Sequence, residues 1–195
     1  MKKYLSFLFI ALFAFSLQAQ TATLAGSVYS PNGNSYENVT VNLLDENGSW
    51  LQGTNTTNDG AYQFNNLPIG ASYTIQLEVE NNFLQETVST FDIVLISRHI
   101  LGLVPLDSPF KILAADATQS QTLTVSDMID IRKYVLGITN TLTQGFGIQY
   151  YQTNIQFNAP SNPFAGYSGG SPTIQLDEDT FDFDFYLFKT GDVSF

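Results

Sequence analysis

Two stretches of this chain repeat each other at a fixed distance. Residues 87–103 align with residues 122–138 at a constant offset of 35: Asp92 falls on Asp127, Arg98 on Lys133, and Leu101-Gly102 on Leu136-Gly137. An internal repeat defines the structural unit, so it constrains the fold before anything else does. Each copy carries apolar residues at i, i+3, i+7 and i+8, namely Ile93, Ile96, Ile100 and Leu101, then Met128, Ile131, Val135 and Leu136. That spacing predicts one amphipathic helix per copy. Ser89 or Thr90, and Thr124 or Ser126, are available as N-caps, and the glycine after each stripe reads as a C-terminal stop. One such helix cannot bury its stripe alone. Two related by a pseudo-twofold axis can bury theirs against each other.

Before the repeat the period changes to two. Val39, Val41 and Leu43 alternate with Thr40 and Asn42, and the pattern recurs at Tyr62 and Phe64 and at Tyr73, Ile75 and Leu77. Strands with one buried face read this way. Turn chemistry separates them at Pro31-Asn32-Gly33, Glu46-Asn47-Gly48, Asn58-Asp59-Gly60 and Pro68-Ile69-Gly70. Short strands at this spacing predict an antiparallel sandwich. After Asn140 the period of two returns. Ile155 and Phe157 alternate, and Phe181, Phe183, Phe185 and Leu187 alternate with Asp182, Asp184 and Tyr186. The expectation there is a strand with one apolar and one acidic face, which covers the helices or extends a sheet, with Asp182 and Asp184 guarding it against aggregation.

The first residues read as a secretory leader, with Lys2 and Lys3 ahead of an apolar run from Tyr4 to Leu17 and Ala19 at the cleavage point. The run is shorter than the roughly 20 residues a bilayer requires. Without Lys2 and Lys3, five basic residues remain against 18 acidic ones, a formal charge of −13. Such a charge repels nucleic acid and anionic membranes. With no cysteine there is no disulfide framework, thiolate metal site or cysteine nucleophile. No zinc motif, phosphate loop or nucleophile elbow occurs. His99, the single histidine, stands mid-helix with Tyr134 as its repeat counterpart, which favours packing over catalysis. Asp182 and Asp184 share one strand face and read as solvated side chains rather than a glycosidase pair. The chain is therefore expected not to be an enzyme.

Asn58-Asp59-Gly60-Ala61-Tyr62-Gln63-Phe64-Asn65-Asn66-Leu67-Pro68-Ile69-Gly70, with Ala25-Gly26-Ser27-Val28-Tyr29 before it, resembles the signature of carboxypeptidase regulatory-like and Cna-B-like domains. The resemblance implies a β-sandwich of the transthyretin-like, carbohydrate-binding-like fold group, in which most members act as spacers or stalks. Trp50, Tyr36 and Tyr62 are the aromatics there that could stack on a sugar ring.

The repeat resembles a divergent class of the type I dockerin module, two loop-helix units each with a calcium loop D-x-N-x-D-G-x-V-x-x-x-D and a helix ending in Leu-Gly. Asp107-Ser108-Pro109-Phe110-Lys111, Ala114-Ala115-Asp116 and Gly191-Asp192-Val193 also resemble that class. The implied calcium ligands are Asp116, Thr118, Ser120, the Thr122 carbonyl and Asp127, with Gln121 where the turn glycine is expected. Two carboxylates and two hydroxyls make a weak site. The first loop would run from Asn81 through Phe83 and Gln85 to Asp92 and is weaker still. The alternative is a pair of loops ordered by hydrogen bonds, with Asp92 and Asp127 at helix N-termini. The resemblance places contacts to a cohesin-like protein partner at Thr90, Phe91, Ser97 and Arg98, and at Val125, Ser126, Arg132 and Lys133.

The expected fold class is thus mixed and mainly β. A leader (1–19) precedes an antiparallel β-sandwich (20–80), a dockerin-like two-helix repeat (81–140) and a C-terminal β segment (141–195). The expected function is a non-catalytic extracellular interaction or scaffold module, secreted or held at the surface of a Gram-negative bacterium. The alternative is a carbohydrate-binding accessory protein in polysaccharide catabolism.

Overall fold

The structure, a computed structural model, describes residues 20–80, 87–143 and 147–195. The leader expected at 1–19, and Asn81, Phe83, Gln85 and Glu86 of the first loop, lie outside the described residues. Among the described residues no helix is long and apolar enough to cross a membrane.

The alternating segment forms β1 (Thr21–Tyr29), β2 (Thr40–Leu44), β3 (Trp50–Asn55), β4 (Ala61–Pro68) and β5 (Ala71–Glu78). Helices α1 (Thr90–Ile100), α2 (Pro109–Ala115) and α3 (Val125–Val135) follow. The rest of the chain contributes β6 (Ile148–Gln152), β7 (Gln156–Phe157), β8 (Tyr167–Ser168), β9 (Thr173–Leu176) and β10 (Phe185–Lys189). One sheet has the order β4-β1-β10-β6, the other β3-β2-β5-β9, and β7 pairs with β8. The C-terminal segment therefore supplies strands to both sheets. All pairings are antiparallel except β1 with β10, where Val28 lies beside Phe185.

Two apolar cores follow from this order. Leu24, Val28, Val41, Leu43, Phe64, Ile75 and Leu77 meet Phe183, Phe185 and Leu187 between the two sheets. Ile93, Ile96 and Ile131 meet Leu113, Ala114, Phe188 and Val193 among the helices. Ile96 and Ile131 are fully buried, and each such side chain contributes about 1.5–3 kcal/mol relative to exposure.

β10 divides the two cores. Phe185 and Leu187 point into the sandwich, while Phe188 points into the helical core. Phe110 of α2 packs edge-on against Tyr186 and Phe188, at 5.0 and 5.8 Å between ring centroids. This corrects the expectation of a strand with an acidic outer face. The strand starts only at Phe185, lies inside its sheet and is covered on both sides, so its apolar residues run consecutively. Phe181 falls before it and is 65% exposed.

The acidic residues have a different use. Segment 179–184 runs along β1, and two carboxylates take the place of backbone acceptors. Asp179 Oδ1 accepts from the Thr23 N–H and Asp184 Oδ1 from the Ser27 N–H, both at 2.7 Å. Between them the Ala25 N–H donates to the Thr180 carbonyl and the Phe183 N–H to the Ala25 carbonyl. Asp184 is thus a strand-pairing group rather than a guard. Burial raises its pKa above the ordinary carboxylate value.

α2 lies between the two repeat helices and has no counterpart in the repeat. Ser108 Oγ accepts from the Phe110 N–H, and Pro109 occupies the first turn, where its missing N–H costs nothing.

Gly26 of β1 marks the closest approach in the sandwich. A Cβ there would stand 2.2 Å from the Phe183 carbonyl oxygen, which also accepts from the Tyr62 hydroxyl. Backbone cannot yield as a flexible side chain can. Gly26→Ala is expected to destabilise the chain by about 2 kcal/mol or more, read from the urea midpoint with the m-value unchanged.

Candidate functional site

The repeated helices begin in the same way. Ser89 caps α1 and Thr124 caps α3, and in each case an aspartate three residues later closes a capping box. Asp92 Oδ2 accepts from the Ser89 N–H at 2.8 Å, and Asp127 Oδ2 from the Thr124 N–H at 2.8 Å. Gly102 and Gly137 follow the helices at φ 68° and 67°, the left-handed conformation that ends a helix without strain.

The second oxygen of each aspartate reaches outside its own helix. Asp127 Oδ1 accepts from the N–H and the hydroxyl of Thr118, at 3.0 and 2.7 Å. Asp92 Oδ1 accepts from the Val193 N–H at 2.9 Å. The pair Asp192-Val193 thus stands to α1 much as Asp116-Ala117-Thr118 stands to α3. Nothing in the 35-residue offset could show this, because the two halves of the arrangement at α1 lie 101 positions apart.

The residues expected to hold calcium do come together. Asp116 accepts from the Ser120 N–H at 3.0 Å and the Gln121 N–H at 2.7 Å, one on each oxygen. The Ser120 hydroxyl donates to the Thr122 carbonyl at 3.1 Å. All four carboxylate oxygens of Asp116 and Asp127 accept from the loop or the helix cap. Among the described residues no group of three or more acidic or histidine side chains converges. This donor set does not fit a shell of six to eight oxygens around a calcium ion. Burial raises the Asp116 pKa, with the nearby Asp127 adding to it against the lowering effect of the two N–H donors. Burial likewise raises the Asp192 pKa, and the nearby Asp92 carboxylate adds to the shift.

The expected partner contacts all reach solvent. Thr90, Phe91, Arg98, Val125, Ser126, Arg132 and Lys133 are exposed, and Ser97 is half-buried. They stand beside exposed apolar residues, four of which the sequence did not single out. Val94 and Ile129, Leu101 and Leu136, and Leu103 and Ile138 are repeat-related pairs, and all six are exposed. Leu101 and Leu136 were expected in the buried stripe. They are 68% and 62% exposed, because each is the C-cap residue, turned away from the helix core. On α1, Phe91, Val94, Arg98 and Leu101 fall at i, i+3, i+7 and i+10 along one outer face. On α3, Ser126, Ile129, Lys133 and Leu136 do the same. A second apolar signal at helical spacing was present in both copies, hidden by the stronger inner one.

Of the five basic residues in the described chain, Lys111 pairs with Asp107 at 3.0 Å and Lys189 is buried, with its ammonium 2.9 Å from the Tyr134 hydroxyl. Arg98, Arg132 and Lys133 make no ion pair with described residues, and all three lie on the helix pair. His99 Nδ1 accepts from the Leu106 N–H at 2.9 Å, which fixes the turn after α1.

The aromatics of the sandwich form no platform. Tyr62 is core, Tyr36 is half-buried, and Trp50 is exposed on the other sheet, where its indole N–H donates to Asn42 Oδ1 at 3.1 Å.

Residues 23–95 match the model of the carboxypeptidase regulatory-like domain, a type of non-catalytic module. Two crystal structures of BcpA, the major pilin subunit of Bacillus cereus, one of them a variant, are similar over 29% of this chain and 18% of theirs. Their identity to it is 20% and the TM-score 0.28. The chain spans under a fifth of the length of those pilins. No curated protein matches.

Two outcomes follow from the buried aspartates. Asp92→Ala opens the capping box at Ser89 and leaves the Val193 N–H unpaired, so it is expected to cost about 3 kcal/mol and to strip hydrogen-exchange protection from residues 191–194. Asp192 carries a folded pKa above the carboxylate value, so the folded state binds its proton more readily than the unfolded one. Its ionisation therefore weakens the fold as pH rises through the raised pKa. Asp192→Asn, which keeps an oxygen for Ser194, is expected to raise the melting temperature at pH 7. The gain should vanish below pH 3.8, the ordinary carboxylate value.

Proposed function

We propose that this chain is a non-catalytic extracellular or surface module that binds an acidic protein partner through the outer face of its helix pair. The carboxypeptidase regulatory-like sandwich carries that face. The observation that supports this most directly is the matched exposure of Val94 and Ile129, Leu101 and Leu136, and Leu103 and Ile138 around Arg98, Arg132 and Lys133. Isolated apolar residues on a surface are ordinary, but six exposed at equivalent positions of two repeats are more than chance scatter, and that supports an interface. On a chain with a net charge of −11, the cations among the described residues that make no ion pair and are exposed concentrate there. Complementary charge steers the encounter, and the apolar pairs supply area that loses water on binding. Thr90, Phe91, Val125 and Ser126 extend the face toward the helix N-termini, and Ser97 lies beside Arg98.

The resemblance to dockerins points to a cohesin-like occupant, and the loop chemistry supports binding without calcium. Asp116 and Asp127 already use their oxygens on N–H and O–H donors, so the helix pair does not depend on an ion to keep its shape.

Both parts can be measured on the full chain. Binding to immobilised cohesin-like domains with acidic surfaces is expected to weaken as salt rises. Arg98→Glu with Lys133→Glu should lower affinity at least tenfold, about 1.4 kcal/mol. Leu101→Asp with Leu136→Asp should abolish it, while Trp50→Ala leaves it unchanged. Affinity indifferent to all four helix substitutions would remove the proposed face. Excess EDTA, and then millimolar calcium, should leave the melting temperature unmoved. A rise of several degrees with calcium would restore the ion to the loop.

A further inference from the structure

We propose a second binding site, for a neutral saccharide, in the open cleft between the loop that follows α2 and the segment that carries β8. The cleft has a volume of about 430 Å³, within the range of small-ligand sites. Neither a residue of the outer helix face nor Trp50, where the sequence suggested a sugar contact, lines it.

One wall is polar in an unusual way. Gln119 and Gln121 line it, and both hold left-handed backbone, at φ 54° and 61°. Non-glycine residues are uncommon there and carry a local conformational cost. Glycine would hold the same turn with no such cost, so the turn alone does not explain a side chain at either position. The backbone is fixed by Asp116, whose carbonyl accepts from the Gln119 N–H and whose carboxylate accepts from the Gln121 N–H. The side-chain amides are exposed and bond to no described residue. Each offers two donors and an acceptor toward the cleft.

The opposite wall is aromatic. Tyr167 is 51% exposed, and its ring is held edge-on by Tyr151 at 5.7 Å and by Phe157 at 6.2 Å. Phe164, half-buried, lines the same side. The rings are thus buttressed by the helical core and leave a face toward the cleft. Among the described residues no cation lines the cleft, and the one carboxylate that does, on Asp116, is committed to the loop. An anionic ligand would find no counter-charge, and a cation would find no free carboxylate.

Free amides facing fixed aromatic rings suit a ligand with many hydroxyls and one apolar face. The C–H face of a sugar ring lies on Tyr167 and Phe164, and its hydroxyls exchange hydrogen bonds with Gln119 and Gln121. The volume accepts about one to two rings.

The test uses the full chain and four neutral disaccharides as probes: cellobiose, maltose, mannobiose and N,N′-diacetylchitobiose. Each is titrated to about 10 mM by calorimetry, with saturation-transfer NMR to read contact. At least one probe is expected to bind, with affinity falling about tenfold in Tyr167→Ala. Gln121→Gly is the decisive variant, because it removes the amide and relieves the backbone together. It should raise the melting temperature while lowering affinity about tenfold, so misfolding cannot account for the loss. Trp50→Ala and Arg98→Glu should bind as the parent does. Absence of binding by all four probes would overturn the proposal. So would affinity unchanged in Gln121→Gly, or tetramethylammonium binding in place of the sugars.

Discussion

The buried carboxylate of Asp92 is the point on which the second half of this molecule turns. It is wholly inaccessible, and no cation among the described residues pairs with it. Its charge is met by the N–H and hydroxyl of Ser89 on one oxygen and by the Val193 N–H on the other. Charge-assisted bonds of this kind exceed neutral ones in strength, and the start of α1 adds its own favourable field. The position beside it has little slack. Gly191 stands at φ 94°, its N–H donates to the Ala114 carbonyl at 2.7 Å, and a Cβ there would lie 3.2 Å from Val88. At this junction α1, the end of α2 and the tail after β10 are fixed together.

Fixing the tail also places β10, and β10 links the two cores. It is the neighbour of both β1 and β6, so the first sheet has only β4 and β1 side by side without it. Phe185 and Leu187 on one face and Phe188 on the other then lose their cover together. A sandwich completed by strands from the far end of the chain, with helices packed on the same strand, couples the two cores. Damage at the Asp92 junction is felt in the sheet, and damage at Gly26, against Phe183, is felt near the tail. Beads joined by linkers would not behave in this way.

Much of this was readable from local pattern. The alternation between Val39 and Leu77 gave β2, β4 and β5, because one face of each is core and the other is not. The repeat gave α1 and α3 with their caps and terminal glycines, because those depend on neighbours within one turn. What failed depends on residues distant in sequence. The strand at Phe185 was read with an acidic outer face because Asp182 and Asp184 precede it, yet the helices cover that face and Asp184 turns to β1. Leu101 and Leu136 fit a buried stripe by spacing, but the cap geometry turns them outward. α2 is seven residues long, too short for periodicity to reveal, and only Ser108-Pro109 announced it. Of the candidate face, the exposure of the polar and basic residues was legible. The apolar pairs around them were not, since a second stripe of Val94 and Leu101 cannot be told from core by period alone.

The loop before α3 shows why spacing could not decide the calcium question. The last ligand position of the calcium loop it resembles coincides with the third residue of the helix, where a capping box also calls for a carboxylate. Asp127 satisfies both patterns. The positions between differ from that pattern. Thr118 brings a hydroxyl and an N–H that donate to Asp127, and Ser120 and Gln121 bring N–H groups that donate to Asp116. These donors do from within the chain what a cation does from outside, drawing two carboxylates into one loop. Even the turn survives, since Gln121 keeps the left-handed backbone a glycine would supply. A loop closed in this way has its carboxylates met by donors of the chain itself. It also leaves the side chains of Gln119 and Gln121 unused by the fold and facing the cleft.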